Sequence, residues 1–252
     1  MASCEENLLQ PLSPTSKAEF EQGSGSELQD KAKSPAKMRA VHSSSALAVN
    51  AFDYWSGEPN TRLLAALGLT EESDAVIRFE GQYPTGLPGN PPNLDVVLEL
   101  ASGGVIGIES KFTEWLRPKP QGKPPFKEKY FPPGIGVWTT VGLVESQRFA
   151  EKIQNGDVVF RHLDTQQLLK HALGLATKLG SGFRLFYIYF DLPGPTGDLH
   201  RSEIQLFADA VGAELRFAVM SYQELFDRLI AKKSGSSSYR SYVQSRYLQG
   251  AT

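Results

Sequence analysis

Asp95, Glu109 and Lys111 are the residues of this chain whose types and spacing best support chemistry. They lie in two stretches of alternating residues, 94–100 and 106–112, on either side of a Ser-Gly-Gly turn at 102–104, and this pattern predicts a β-hairpin. Because side chains alternate between the two faces of a strand, these three are expected on one face, within about 5 to 8 Å of one another. The apolar side chains expected on the opposite face are Leu94, Val96, Leu98, Leu100, Ile106, Ile108 and Phe112.

Two carboxylates at that separation repel each other, and their charge must be compensated. The compensation can come from a raised pKa of one carboxyl group, from the ammonium group of Lys111, or from a divalent cation held by oxygen ligands. A solvated sheet surface with a cross-strand pair between lysine and a carboxylate is the plainer interpretation. The hairpin by itself leaves both interpretations open.

The order and spacing of these residues resemble the PD-(D/E)xK nuclease superfamily, the fold of many restriction endonucleases. Asp95 stands where that family has an aspartate on the second strand, and Glu109-Ser110-Lys111 stands where it has (D/E)-x-K on the third strand. The chain departs from the motif because Pro92 precedes the aspartate by three positions. The resemblance implies hydrolysis of phosphodiester bonds with Mg²⁺, for which Mn²⁺ can substitute. Asp95, Glu109 and the backbone carbonyl of Ser110 would hold the metal, and Lys111 would orient the attacking water.

The elements needed to position these residues follow in the order that the resemblance requires. Helices are predicted at 46–52, 60–67, 144–153, 164–179, 199–211 and 223–232, and strands at 75–83, in the hairpin, at 183–190 and at 214–219. This order matches an α/β fold with a restriction-endonuclease-like αβββαβ core, a mixed central sheet flanked by helices. The predicted domain covers residues 41–233, between a disordered tail at 1–40 and a C-terminal tail at 234–252 with a short helix.

Other polar residues are candidates for the same site. The run Gln167-Leu168-Leu169-Lys170-His171 resembles a Gln-Leu-x-x-Tyr pattern of one exonuclease-like branch, with histidine in place of tyrosine, and it implies that Gln167 orients the phosphate or Lys111. His171 itself is interpreted as a surface or core histidine. Glu80 on the first strand is either a further carboxylate of the site or an exposed strand residue. Asn50, or its neighbour Asp53, is the polar residue of the first helix that lies near the site in such folds, although core packing also explains that helix.

A long loop after the hairpin is rich in proline, which excludes helix and central strand, and in positive charge. Phe126, Tyr130 and Phe131 are interleaved with its charges. The loop is either a solvated linker or a segment that binds the phosphate backbone without reading bases. Its candidate nucleic-acid-binding residues are Arg117, Lys119, Lys123, Lys127 and Lys129.

Composition limits the functional classes. Cys4 is the single cysteine, so an internal disulfide and a cysteine zinc site are excluded, as expected for a cytoplasmic protein. The sequence has no apolar run of membrane-spanning length and no basic, apolar leader at its start, so neither membrane insertion nor secretion is expected. DNA is the expected partner in preference to RNA, and the oligomeric state is left open. The alternative function is a catalytically inactive module on the same fold that binds nucleic acid or protein.

Overall fold

A five-stranded mixed sheet forms the centre of the protein in a computed structural model, which describes residues 1–23, 27–31, 34–120 and 122–249. The strands are β1 (Ala75–Gln82), β2 (Asn93–Leu100), β3 (Val105–Lys111), β4 (Phe183–Tyr189) and β5 (Ala218–Ser221). They lie in the order β1-β2-β3-β4-β5, antiparallel from β1 to β3 and parallel from β3 to β5. The predicted hairpin is therefore the centre of the sheet, and the predicted α/β class is confirmed.

Helices cover both faces of this sheet. They are α1 (Pro14–Gln22), α2 (Ser44–Phe52), α3 (Thr61–Ala66), α4 (Val144–Asn155), α5 (Thr165–Leu179), α6 (Pro195–Leu215), α7 (Tyr222–Ala231) and α8 (Ser237–Val243). The helix α2 begins where the serine run predicted it, because the Ser43 hydroxyl accepts the N–H of Ala46 at 3.2 Å. Among the described residues, none of the helices combines the length and the apolar character needed to cross a membrane.

Two separate hydrophobic cores lie on the two faces of the sheet. The core on one face includes Phe52, Leu64, Val96, Ile108, Phe186 and Phe226, from α2, α3, β2, β3, β4 and α7. The core on the other face includes Val97, Phe149, Leu169, Leu175, Tyr187 and Phe207, from β2, α4, α5, β4 and α6. The face predicted to carry the charged residues is thus covered by helices, and the interpretation of a solvated sheet surface is wrong.

The close approach of α5 to the sheet depends on glycine. A Cβ atom at Gly174 would lie 2.2 Å from the carbonyl oxygen of Tyr83, so only a residue without a side chain lets the helix pass here. Gly107 of β3 has a similar role, because a Cβ atom there would lie 2.9 Å from side-chain atoms of Leu94 and Leu175. These two glycines let α5 pack closely against the sheet.

Residues 1–40 differ from the predicted disordered tail. The helix α1 begins at its N-cap Ser13, and Phe20 stacks on Phe79 of β1 with ring centroids 5.3 Å apart. The carboxylate of Glu19 accepts the N–H of Phe79 at 2.9 Å, on the open edge of the sheet. A few well-placed apolar side chains and one edge contact therefore order a segment whose composition is mostly polar. Positions 24–26 and 32–33 of this predicted tail lie outside the described residues.

The edge of β1 is closed at a second place. The side chain of Asn60 donates to the carbonyl oxygen of Ala75 at 2.6 Å and accepts the N–H of the same residue at 3.2 Å. Together with Glu19 at Phe79, it occupies hydrogen-bonding groups that a further strand would need.

The last strand was predicted too early. Residues 214–215 belong to α6, which continues because its buried residues Ile204, Phe207, Val211 and Leu215 keep helical spacing, and β5 starts at Ala218. The predicted C-terminal tail contains α8 followed by a π-helical turn (Gln244–Leu248), and Tyr239, Val243 and Tyr247 are buried in the core that also holds Phe52.

Substitution of Gly174 by alanine tests the close approach of α5. We expect Gly174→Ala to lower the free energy of unfolding by about 1–3 kcal/mol or more, because the added methyl group overlaps backbone that cannot move freely. Gly212→Ala, in α6, is the matched control: its Cβ atom would meet nothing nearer than 3.7 Å, and helix propensity should raise stability by up to about 1 kcal/mol. Urea unfolding curves measure both, and a Gly174→Ala protein as stable as the control would contradict the packing described.

Candidate active site

Glu109 lies near the end of β3, opposite Tyr187 of β4, and its side chain is completely buried. The ammonium group of Lys111 forms an ion pair with Oε1 of Glu109. His171 Nε2 lies 2.9 Å from Oε2 of the same carboxylate, and the histidine is itself buried. Both oxygens of this buried carboxylate therefore have a polar partner.

Asp95 lies one residue beyond the last paired position of the hairpin, Val96 opposite Ile108. Its carboxylate accepts the N–H of Ser110 at 2.7 Å, in the place of a ladder partner. The regular alternation of β2 is broken here: Leu94 packs on the α5 face together with Val97, whereas Val96 packs on the opposite face. The prediction that Leu94 shares a face with Val96 is wrong, because a strict two-residue period does not hold across Asp95.

The carboxyl groups have opposite pKa shifts. Burial, reinforced by the negative charge of Glu109, raises the pKa of Asp95 well above its usual value, and it outweighs Lys111 and the N–H of Ser110. Burial alone would also raise the pKa of Glu109, but Lys111 and His171 lower it to about 2. Burial would lower the pKa of Lys111, yet Glu109 and Asp95 raise it well above its usual value. The site without metal therefore combines a glutamate-lysine ion pair with an aspartic acid whose ionisation is disfavoured.

The donor set fits a hard cation. Asp95 and Glu109 offer oxygen atoms only, and a divalent cation would supply the positive charge that keeps both carboxylates ionised. Within the described ranges there is no group of three or more histidine, cysteine, aspartate or glutamate side chains that could hold a metal ion. Mg²⁺ commonly takes one or two carboxylates and completes its shell with waters and phosphate oxygens.

His171 is the site residue that the sequence interpretation missed. It lies four residues after Gln167 on α5, so the two share a helix face. Gln167 donates its backbone N–H to the N-cap Asp164 at 3.0 Å, but its side-chain amide has no hydrogen bond to Glu109 or Lys111 within the part of the chain that the structure describes. The sequence signal for His171 is its place in the Gln-Leu-x-x-Tyr-like run. The residue stands at the position of the tyrosine, and the pattern assigns no role to a histidine there.

A group of aromatic side chains without charge, Tyr187, His200 and Trp115, lies next to the Glu109 ion pair. The hydroxyl of Tyr187 lies 2.9 Å from Nε2 of His200, and His200 stacks on Trp115 with centroids 4.3 Å apart. Burial, with smaller effects from His162 and Arg201, lowers the pKa of His200 to about 3, so this histidine is neutral at physiological pH. The wall beside Glu109 is therefore uncharged.

Glu80 lies near the candidate site. Glu80 has a left-handed backbone (φ 53°) and accepts a hydrogen bond from the Asn93 side chain at 2.6 Å. Burial raises its pKa, and the charge of Glu109 adds to this effect, so Glu80 is close enough to influence the site electrostatically.

Asn50 lies elsewhere, between the two ends of the chain. It donates to the carbonyl oxygen of Asn7 at 2.9 Å and to the Tyr247 hydroxyl at 2.8 Å, and it accepts the N–H of Leu9 at 2.7 Å. Asp53 at the end of the same helix accepts from Ser16 at 2.5 Å.

The basic loop is anchored to the α5 side of the sheet. Phe126 and Tyr130 are buried against Trp138, and the Trp138 indole donates to the carbonyl oxygen of Leu169 in α5 at 2.8 Å. Lys119 pairs with Asp164 at 2.5 Å, whereas Lys129 donates to the carbonyl oxygen of Pro88 in the loop before β2. The aromatic residues of the loop thus serve as its attachment. Arg117, Lys123 and Lys127 are exposed.

Comparison with known proteins assigns the chain to a family. Residues 2–248 match the family model described as Restriction Endonuclease associating with ARP. The chain belongs to this family. The resemblance to the restriction-endonuclease-like superfamily is thereby confirmed, and the match covers both the sheet with its helices and the N-terminal segment. No curated protein and no solved structure matches the chain.

Asp95→Asn tests the protonation of the metal-free site. The folded protein retains a proton on Asp95 that the unfolded chain releases above about pH 3.8, so wild-type stability falls as pH rises from that value toward the raised pKa. Asparagine still accepts the N–H of Ser110 but cannot ionise. We expect the variant to be more stable than wild type at pH 7, by on the order of 1 kcal/mol or more, and equally stable near pH 3.

Urea unfolding in the presence of a chelator, from pH 3 to pH 8, measures this difference. An advantage of the variant that grew toward acid pH would show that Asp95 is ionised in the metal-free protein.

Proposed function

We propose that this protein is a Mg²⁺-dependent nuclease that hydrolyses phosphodiester bonds of DNA. The observation that carries the proposal is the buried Glu109 carboxylate, held by Lys111 and His171 beside Asp95. Residues with strongly perturbed pKa values and specific charged partners are enriched at catalytic sites. Membership of a restriction-endonuclease family supports the reaction class.

Asp95 and Glu109, with the backbone carbonyl of Ser110, are the proposed metal ligands. Bound Mg²⁺ would lower the pKa of a water molecule and offset the charge that builds up at phosphorus. His171 holds Oε2 of Glu109 at 2.9 Å and so fixes the direction of this carboxylate. A second fixed point comes from Ser110, whose N–H binds Asp95 and whose hydroxyl lies 2.6 Å from that of Tyr222 on the far face of the sheet.

Lys111 is the proposed residue for the attacking water. The side chain of Lys111 is partly exposed, whereas that of its partner Glu109 is fully buried, so the lysine lies on the solvent side of this carboxylate. A cation at this place orients a water molecule toward phosphorus and stabilises its hydroxide form. Water oxygen bonds to phosphorus, the bond to the leaving oxygen breaks, and the leaving oxygen takes up a proton. Gln167, on the same helix face as His171, is proposed to contact the phosphate.

Incubation of the purified protein with supercoiled, linear and single-stranded DNA, with and without Mg²⁺ or Mn²⁺, tests the proposed function. Metal-dependent cleavage of DNA is the expected result, and RNA of matched sequence provides the comparison. Binding of DNA without cleavage under all these conditions would favour the alternative of a catalytically inactive binding module.

Loss of either proposed metal ligand should abolish cleavage. We expect Asp95→Asn and Glu109→Gln each to reduce metal-dependent cleavage by at least about a hundredfold, because a carboxylate that holds the metal supports several kcal/mol of transition-state stabilisation. The control is Glu99→Gln, an exposed carboxylate on the same strand β2, which should leave cleavage unchanged. A ligand variant with wild-type cleavage at saturating Mg²⁺ would overturn the assignment.

Substitution of Lys111 should reduce activity without loss of metal binding. We expect Lys111→Ala to lose about 10²–10⁴-fold in rate, the usual contribution of a positioned acid-base group, while it still binds Mn²⁺ in a calorimetric titration. An ammonium group donates hydrogen bonds and is not a metal ligand. Loss of metal binding together with activity would mean that Lys111 acts mainly by holding Glu109 in place.

A further inference from the structure

Lys170 occupies an unusual place on α5. It precedes His171, the residue that binds Glu109, and its side chain is partly buried. Its ammonium group lies 5.9 Å from the ring centroid of Phe126 and 5.7 Å from that of Tyr130. These are cation-π distances, so the rings of the basic loop hold the lysine in place.

Other lysines lie close enough to act electrostatically on this ammonium group. Burial lowers the pKa of Lys170, Asp164 opposes that effect, and the positive charges of Lys119, Lys127 and Lys129 each lower the pKa by a smaller amount. Asp164 is already paired with Lys119 at 2.5 Å.

The lysine cluster consists of Lys127, Lys129 and Lys170, and within the described residues none of their ammonium groups forms an ion pair with a carboxylate. The ammonium group of Lys129 lies 5.2 Å from the Tyr130 ring and donates to the carbonyl oxygen of Pro88, which is a neutral acceptor. In residues 1–23, 27–31, 34–120 and 122–249, no ion pair or hydrogen bond reaches the ammonium groups of Lys127 or Lys170. Like charges gathered in this way repel each other, and an anion between them would remove the repulsion.

We propose that Lys127, Lys129 and Lys170 form a subsite for a backbone phosphate of the substrate strand, next to the phosphate that is hydrolysed. The proposal rests on the proposed function, because Lys170 lies on the same helix as His171, the residue that contacts Glu109. Phosphate is the class of ligand that matches several ammonium groups, since it offers charged oxygens to each of them.

The subsite recognises backbone and not bases. Phe126 and Tyr130 are only 2% and 5% exposed, so their faces are not free to stack on nucleobases. Their rings face lysine ammonium groups and Trp138 instead. The subsite therefore contributes affinity and register without sequence preference.

Salt dependence of binding by the full chain measures the subsite. Binding of a short labelled duplex is followed over a salt series in a chelator, so that no cleavage occurs. Each phosphate neutralised contributes about 0.9 to the slope of log affinity against log salt. Because the three lysines share one phosphate, we expect the triple replacement of Lys127, Lys129 and Lys170 by methionine to reduce the slope by about 0.9, and Lys170→Met alone to reduce it by a measurable part of that amount.

Lys178→Met is the matched control. Lys178 lies on the same helix, with its ammonium group 5.0 Å from the Tyr83 ring, but at the opposite end from the lysine cluster. This variant should retain the wild-type slope. An unchanged slope for Lys170→Met, or an equal loss for Lys178→Met, would overturn the subsite.

Amine labelling of the wild-type protein keeps the test independent of any folding defect in the variants. Mass spectrometry of acetylated lysines should find Lys127 and Lys170 protected by the duplex and Lys178 unprotected, and equal labelling of Lys170 with and without duplex would overturn the proposal. Wild-type cleavage with Mg²⁺ separates the two proposals. Cleavage with an unchanged Lys170→Met slope refutes the subsite alone, whereas no cleavage with a reduced slope refutes only the proposed hydrolysis.

Discussion

The rest of this structure depends on the contacts of one buried carboxylate, that of Glu109, with the side chains of Lys111 and His171. Glu109 has no exposure to water, and an unpaired charge in that environment would cost several kcal/mol. Lys111 on the same strand forms an ion pair with one oxygen, and His171 on α5 lies at hydrogen-bond distance from the other. The helix must therefore stay close to β3 for Glu109 to remain ionised, and the glycines at 107 and 174 are what allow this distance.

The same constraint explains why the two carboxyl groups differ. Glu109 has the lysine and the histidine, whereas Asp95 has one backbone N–H and the repulsion of its neighbour. Added positive charge would favour the ionised form of Asp95, whose pKa is raised in the metal-free site. The side chains of Tyr187, His200 and Trp115 beside Glu109 carry no charge, so the charges of the site come from its carboxylates and Lys111.

Sequence patterns predicted the hairpin and the order of strands and helices, because these depend on local periodicity. The same periodicity placed Glu109 and Lys111 on one face of β3, where they form an ion pair. Contacts between distant segments were not predictable in the same way. His171 lies 62 residues from Glu109, and neither its helix face nor its apolar neighbours indicate a carboxylate partner. The stacking of Phe20 on Phe79 and the hydrogen bond from the Phe79 N–H to Glu19 were not predictable for the same reason. Phe20 and Glu19 are ordinary residues of α1, and their roles come from tertiary packing against β1. The break in alternation at Asp95 also depends on the partner strands and not on β2 alone.

Asn50 has a consequence for the order in which the protein can form. Its side chain binds Asn7, Leu9 and Tyr247 at once, so the first and last described segments meet on the face of the sheet opposite Glu109. Residues near position 7 are made before residue 247, whose side chain completes their docking surface. Contacts of such long sequence separation form slowly, because a large loop must close before they gain any energy. The core on that face is therefore complete only after residue 247 has been made, and the contacts that join Asn7, Asn50 and Tyr247 are expected to form late in folding.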